Sequence, residues 1–259
     1  MRAHLELRVR YDAPAFTCGR VLRVLPLLRP DISIQNERLM VVPPPDEQSE
    51  NSDAWNNRRL RLFHRSIARQ LDFRLEVEAH ATKAPLVAAQ PNGLLKMPSR
   101  AVPFSPELLS LARSMRDASA FERARAFNER VFESLAYTNQ MSDAPVDAAR
   151  AWNTKRGTCA DFAHVLLVLC RASGLAARYV AGFGPARGAL HAWVEVACEG
   201  VWRGFDPTHG REAQGLYLPV ATGRDFYDCA PHRGASKRGG EAHLELCCEL
   251  REFPPGAVC

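Results

Sequence analysis

The stretch that most constrains the fold of this chain is an apolar run in its second half, introduced by Gly157 and Thr158. These two residues predict a helix start, because glycine provides a hinge and the threonine hydroxyl can cap the first free N–H groups. Residues 165–170 continue the helix and are apolar on nearly every side, until Ser173 and Gly174 end it. The pattern therefore predicts a helix that is buried along most of its length.

Cys159 falls in the first turn of this predicted helix. The unpaired N–H groups there and the positive end of the helix dipole both stabilise a thiolate, which is the nucleophilic form of cysteine. Taken alone, Cys159 has a second interpretation, since free cysteines are often inert members of a core. The choice depends on whether suitable partners follow in the sequence.

A hairpin is predicted downstream, with strands at 190–196 and 201–205 joined through Glu199 and Gly200. In a hairpin with this two-residue turn, paired residues have numbers that sum to about 399. His191 and Asp206 therefore lie near each other at the far end of the hairpin. The pattern leaves open whether they share a face.

Cys159, His191 and Asp206 are the three residue types that a thiolate mechanism needs: a nucleophile, a general base and acid, and a group that orients the imidazole. Their order across a helix and a hairpin is more specific than a scattered Cys/His pair. We therefore interpret Cys159 as the nucleophile. The one oxyanion donor that we name is the backbone N–H of Cys159 itself.

Four stretches resemble the bacterial transglutaminase-like proteins, a family with a papain-like Cys-His-Asp core; they are Arg156–His164, Gly174–Phe183, His191–Val196 and Trp202–Thr208. The similarity extends to nearly the whole chain through His4–Leu7, Leu25–Pro26, Asp53–Asn57, Gly223–Asp228 and Pro231. Two residues depart from the family. Ala160 stands where many relatives carry Gln, which concerns the substrate site, and Asn56 stands where they usually carry Gly, which concerns a loop.

The resemblance implies an α+β fold, with an N-terminal β-sandwich domain followed by a transglutaminase/papain-like core of helices packed on an antiparallel sheet. It also implies an ion pair between Arg224 and Asp225 behind the site. The expected chemistry is attack of Cys159 on an amide bond of a peptide or protein to give a thioester acyl-enzyme. We expect hydrolysis rather than acyl transfer to an amine, without a metal or an organic cofactor.

The domain division follows from the pattern along the chain. Residues 1–84 contain short alternating segments typical of strands, with a polar loop at 46–57, and they predict an all-β accessory domain. Residues 85–105 are rich in proline and predict a linker. Residues 106–259 show helices first and an antiparallel sheet afterwards, which predicts the catalytic core.

Composition excludes several other classes. The net charge of +5 comes from arginines spread along the chain, so nucleic-acid binding is not expected. No apolar run approaches the ~20 residues that span a bilayer, and no signal peptide is recognised. Eight cysteines without a CxxC pair indicate reduced thiols, so we expect a cytoplasmic protein without a metal site. The oligomeric state is left open.

The sequence allows two alternatives to a thiol enzyme. One is a non-catalytic module of the same fold that binds a peptide or a partner protein; an intact triad argues against it. The other is a zinc hydrolase that uses Cys159, His191 and His209, which fails on spacing and motif. Trp193 is the candidate substrate-binding residue, as a wall of the substrate channel, with packing in the core as its alternative.

Overall fold

The computed structural model describes residues 1–82, 87–114, 118–139, 147–185 and 187–253. Its strands are β1 (Arg2–Tyr11), β2 (Ala15–Leu22), β3 (Ile32–Val42), β4 (Glu47–Ser52), β5 (Arg58–Ile67), β6 (Gln70–Ala81), β7 (Ala136–Tyr137), β8 (Arg156–Gly157), β9 (Ala177–Phe183), β10 (His191–Cys198), β11 (Val201–Asp206), β12 (Arg211–Glu212), β13 (Leu218–Gly223), β14 (His232–Arg238) and β15 (Ala242–Arg251). Its α-helices are α1 (Pro106–Arg113), α2 (Ala120–Ser134), α3 (Ala148–Thr154), α4 (Cys159–Ala172) and α5 (Phe226–Cys229). None of the helices in these ranges is long and apolar enough to cross a membrane.

The N-terminal strands β1–β6 lie in two four-stranded antiparallel sheets, with strand orders β15-β1-β6-β3 and β14-β2-β5-β4. The alternation in the sequence explains their common core. On β1, Leu5, Leu7 and Val9 point inward, and the residues between them are exposed or half-buried. The predicted β-sandwich is thus confirmed, and so is the α+β class.

One strand lies where the sequence predicts a loop. β4 occupies part of the polar segment 46–57 and pairs with β5 along its whole length. All six of its side chains are exposed, so it has no apolar face that a sequence pattern could reveal. Its strand structure is held by backbone hydrogen bonds to β5 rather than by burial.

The last two strands return to the N-terminal sheets. β14 pairs with β2 and β15 pairs with β1, so both strands lie at sheet edges. The predicted division at residue 106 instead assigns them to the catalytic core. The alternation of β15 is visible in the sequence, but alternation does not say which sheet a strand joins, and β14 was not predicted at all. The accessory β unit is therefore built from both ends of the chain.

The core is organised around α4. Its side chains are buried from Ala160 to Arg171, as its apolar run predicts. It packs against α1, α2 and α3 and against strands of a five-stranded sheet with the order β12-β11-β10-β9-β13. α1 and α2 are capped at their N-terminal ends by Ser105 and Ser119. The predicted start of the third helix, at 143–145, lies outside the described residues, and α3 is capped by Asp147.

An ion-pair network fixes the β unit to the sheet that carries the hairpin. Glu195 on β10 is bound by Arg29 of the β unit, with Oε1 2.6 Å from Nη1, and by Arg178 of β9, with Oε2 2.6 Å from Nη2. Burial alone would raise the pKa of Glu195, but the two guanidinium groups outweigh it and lower this pKa to about 2. The charged carboxylate therefore anchors the strand that begins with His191.

Candidate active site

Cys159 is the first residue of α4, and its side chain is half-buried. Thr158 is the N-cap, as predicted, and its N–H and hydroxyl both donate to one oxygen of Asp161, at 2.7 and 2.9 Å. The Asp161 side chain closes over Gly157, where an added Cβ would lie only 2.5 Å from the Asp161 Cβ. Glycine is thus required at this position for a steric reason, and the first turn of the helix is held rigidly.

The hairpin of β10 and β11 has the predicted register, with Cys198 opposite Val201 and Val194 opposite Phe205. Glu199 and Gly200 adopt positive φ angles of 47° and 80°, as a two-residue hairpin turn of this type requires. If this register is extended to His191, position 208 lies opposite it. Asp206 is two positions before 208, so its side chain lies on the same face of the hairpin as that of His191. The structure joins them, with His191 Nε2 2.8 Å from Asp206 Oδ2.

The Cys159 thiol is close enough to the same imidazole to contribute to its pKa. The predicted catalytic residues, Cys159, His191 and Asp206, are therefore brought together as one cluster. Burial disfavours the charged imidazole, but the hydrogen bonds with Asp206 and Cys159 outweigh it and raise the pKa of His191 to about 10. Because Nε2 is engaged by Asp206, Nδ1 is the nitrogen left to exchange a proton with the thiol.

Asp206 has no solvent exposure, and its carboxylate accepts further hydrogen bonds that the sequence did not reveal. His209 Nδ1 and the Tyr217 hydroxyl each lie 2.7 Å from Oδ2, and the Thr208 N–H lies 3.0 Å from Oδ1. Burial opposes ionisation, but the hydrogen bonds from His191 and His209 hold the pKa of Asp206 well below its usual range. The carboxylate is therefore the charged centre of the site.

The sequence pattern indicates His209 only as a ligand of the rejected zinc site, and it gives no signal for Tyr217. The ligand atoms of His191, Asp206 and His209 do lie within 4.8 Å of one another. Both imidazole nitrogens are at hydrogen-bond distance from a single oxygen of Asp206, so each of these three side chains already has a hydrogen-bond partner within the group. The described arrangement is a hydrogen-bonded cluster.

Trp193 does not have the position that was predicted for it. Its side chain is 2% exposed and packs beneath the site, with its ring 6.3 Å from that of His191 and 5.3 Å from that of Tyr217. A buried ring cannot wall an open channel, so Trp193 supports the histidine instead. The aromatic side chain that reaches solvent beside Cys159 is Tyr137, which is 54% exposed and lies opposite Gly157 in the β7–β8 pair.

The ion pair expected between Arg224 and Asp225 is also wrong. Arg224 pairs with Asp228, with Nε 2.9 Å from Oδ2. Asp225 instead caps α5 by accepting the N–H of Tyr227, and its other oxygen accepts the N–H of Ala101. Adjacent residues in this turn point in different directions, so neighbours in sequence do not become partners.

A half-buried cysteine at the start of a buried helix, facing a His–Asp pair on an antiparallel hairpin, defines a papain-like Cys-His-Asp core. Residues 109–207, which include Cys159, His191 and Asp206, match the model of the transglutaminase-like superfamily.

Known proteins resemble the chain to different extents. An uncharacterised protein of Mycobacterium leprae is 37% identical over 105 residues, a match that spans 37% of this chain and 37% of that protein's own length. An uncharacterised protein of Mycobacterium tuberculosis H37Rv is 27% identical over 236 residues, covering 76% of this chain and 74% of the relative. The crystal structure of a candidate cysteine protease from Cytophaga hutchinsonii superposes with a TM-score of 0.78 at 23% identity, over 98% of this chain and 92% of that one. This last likeness shows that the two proteins share a fold that includes the β unit.

Proposed function

We propose that this protein is a thiol enzyme that acts on amide bonds of peptides or proteins through a thioester on Cys159. One observation carries the proposal. The Cys159 thiol is accessible at the first turn of α4 and faces an imidazole whose other nitrogen is held by the buried Asp206. The superfamily match and the fold support a papain-like enzyme in general, and the arrangement of the three side chains supports this reaction.

In the first step, the proton of the thiol passes to Nδ1 of His191, and the Cys159 sulfur bonds to the carbonyl carbon of the amide. Asp206 stabilises the resulting imidazolium at Nε2. The backbone N–H of Cys159, which no carbonyl of the preceding turn can accept, is the donor that we assign to the tetrahedral oxyanion.

In the second step, the C–N bond breaks and the imidazolium returns its proton to the leaving amine, which leaves a thioester. A water molecule then attacks the thioester, with His191 as general base, and the carboxylic acid leaves while the thiol is regenerated. An amine in place of water would give a new amide. We favour hydrolysis, in line with the description of the Cytophaga hutchinsonii relative as a candidate cysteine protease.

The proposal is tested by incubating the protein with a glutamine-containing casein pool and a labelled primary amine, followed by mass spectrometry. Cys159→Ala is the inactive variant, and Cys247→Ala, which changes an exposed cysteine outside the site, is its matched control. Cleavage products that need Cys159 identify a hydrolase, and amine incorporation that needs Cys159 identifies an acyltransferase. Equal products from wild type and Cys159→Ala, or a Cys159 that does not react with iodoacetamide in the folded protein, would overturn the proposal.

We also propose that the protein works in the reducing environment of the cytoplasm on a peptide or protein substrate. The support is that the seven cysteines in the described ranges are all free thiols. Thiol counting on protein that is alkylated during cell lysis tests this, because an oxidising compartment would leave some of these cysteines blocked.

A further inference from the structure

Asp206 is shared by two imidazoles, although a thiolate mechanism requires only one. His191 and His209 approach the same oxygen, Oδ2, at 2.8 and 2.7 Å, and their rings are 5.4 Å apart. Tyr217 donates to that oxygen from the buried side. The His209 side chain is 36% exposed, so His209 forms the solvent side of the cluster, whereas His191 and Asp206 are buried.

We infer that His209 is a positioning residue of this site, which holds the Asp206 carboxylate ionised and aimed at His191; this rests on the proposed thiol function. An ionised Asp206 has no proton to donate, so both imidazoles must donate to it. His209 therefore carries its proton on Nδ1 and His191 carries one on Nε2. This fixes the His191 tautomer that leaves Nδ1 free for the thiol.

The role follows from the burial of the carboxylate. A buried anion is stable only when charged or polar hydrogens surround it, and Asp206 has four such donors but no contact with solvent. Three of them converge on Oδ2, so each one also restricts rotation of the carboxylate. Without His209, Oδ2 would keep two donors, and its solvent side would be open to water.

Two opposite effects are expected from that loss. With fewer donors, more of the negative charge of Asp206 would be available to His191, which would stabilise the imidazolium form of His191. A carboxylate that is less often ionised and free to rotate would instead destabilise this imidazolium. We expect the second effect to dominate, because hydrogen bonds to a buried charge contribute more than the redistribution of charge among the remaining ones.

The test measures the alkylation rate of Cys159 by iodoacetamide at about pH 6 and about pH 9.5, by mass spectrometry of the labelled peptide. At the lower pH, a cysteine is a thiolate only through its ion pair with His191, whereas at the higher pH ordinary ionisation suffices. The ratio of the two rates therefore reports the ion pair and not the general integrity of the fold. Cys247, which is exposed, is the internal reference thiol.

The variants are His209→Ala, which removes the donor, and His209→Asn, which keeps a short N–H donor without a titratable ring. His243→Ala is the matched control, because His243 forms an exposed pair with Asp12 at 3.4 Å, outside the site. We expect the rate ratio to fall roughly tenfold in His209→Ala, to stay within about threefold of wild type in His209→Asn, and to be unchanged in His243→Ala.

An unchanged or increased ratio in His209→Ala would overturn the inference, since His209 would then be neutral or would compete with His191 for the carboxylate. A failure of the proposed function looks different. In that case the wild-type ratio for Cys159 would equal that of Cys247, and His191→Ala would not alter it.

Discussion

The two ends of α4 each carry a cysteine, and the structure gives them opposite properties. Cys159 begins the helix, is half-buried and faces His191. Cys170, three turns later on the same helix, is fully buried, and burial raises the pKa of its thiol far above the ordinary value. The comparison teaches that reactivity comes from the surroundings that the fold supplies at each end, and not from the helix or the thiol alone.

The largest expected effect comes from deleting each thiol in turn. Cys159→Ala should lower the turnover of an amide substrate by about 10⁵–10⁶-fold, because no other group can form the thioester. Cys170→Ala should leave turnover within about threefold and should lower the stability by about 1–2 kcal/mol, through a small cavity. Turnover and thermal unfolding are measured for both variants. Similar losses of turnover in both would contradict the conclusion that only the cysteine at the N-terminal end of α4 is the nucleophile.

A second substitution tests whether the position of Cys159 at the N-terminal end of the helix is enough to make it reactive without the charge of Asp206. Asp206→Asn keeps the shape of the side chain but removes the charge that supports the imidazolium, so turnover should fall by about 10³–10⁴-fold. Asp228→Asn, which breaks the ion pair with Arg224 away from the cluster, is the matched control and should be near wild type. A small effect of Asp206→Asn would assign the activation of Cys159 to the helix dipole.

The N-terminal end of α4 should also show a pH dependence of stability that the other end lacks. The pKa of His191 is raised from 6.5 to about 10 in the folded protein. The stabilisation from its charged form is therefore complete below pH 6.5 and is lost as the pH rises through about 10. The difference in Tm between wild type and His191→Gln should shrink over this range. A difference that grows with pH would contradict the assignment.

The smallest effects concern the glycines that flank α4. Gly157→Ala would place a Cβ 2.5 Å from that of Asp161, so the first turn must shift and the low-pH alkylation of Cys159 should fall severalfold. Gly174→Ala meets open space but has a φ of 89°, so it should cost about 1 kcal/mol of stability without changing that alkylation. Equal effects on alkylation would mean that the first turn does not position the thiol.

The hairpin and α4 could be predicted because local rules determine them. A run of apolar residues between a capping threonine and a glycine specifies a buried helix, and a two-residue turn specifies a register. The observed pairs end at Val194 and Phe205, and the alternation of side chains from that pair places His191 and Asp206 on the same face of the sheet. The three catalytic candidates follow from these two elements.

What could not be predicted depends on contacts between distant segments. β15 joins β1 across most of the chain, and β4 has no apolar residue to mark it. Tyr217 reaches Asp206 from a segment beyond β12, which no spacing rule connects to the hairpin. The alternation along β10 does not show whether Trp193 is exposed. Its burial depends on packing against residues such as Tyr217, which comes from another segment of the chain.

The most direct test of the central claim is competitive labelling of the native protein with limiting iodoacetamide at about pH 6, followed by peptide mapping. We predict that Cys159 is modified first, ahead of the exposed Cys247 and well ahead of Cys170, and that His191→Ala removes this preference. Labelling in the order of exposure, with Cys247 first in both wild type and His191→Ala, would show that Cys159 is an ordinary thiol and would contradict the account.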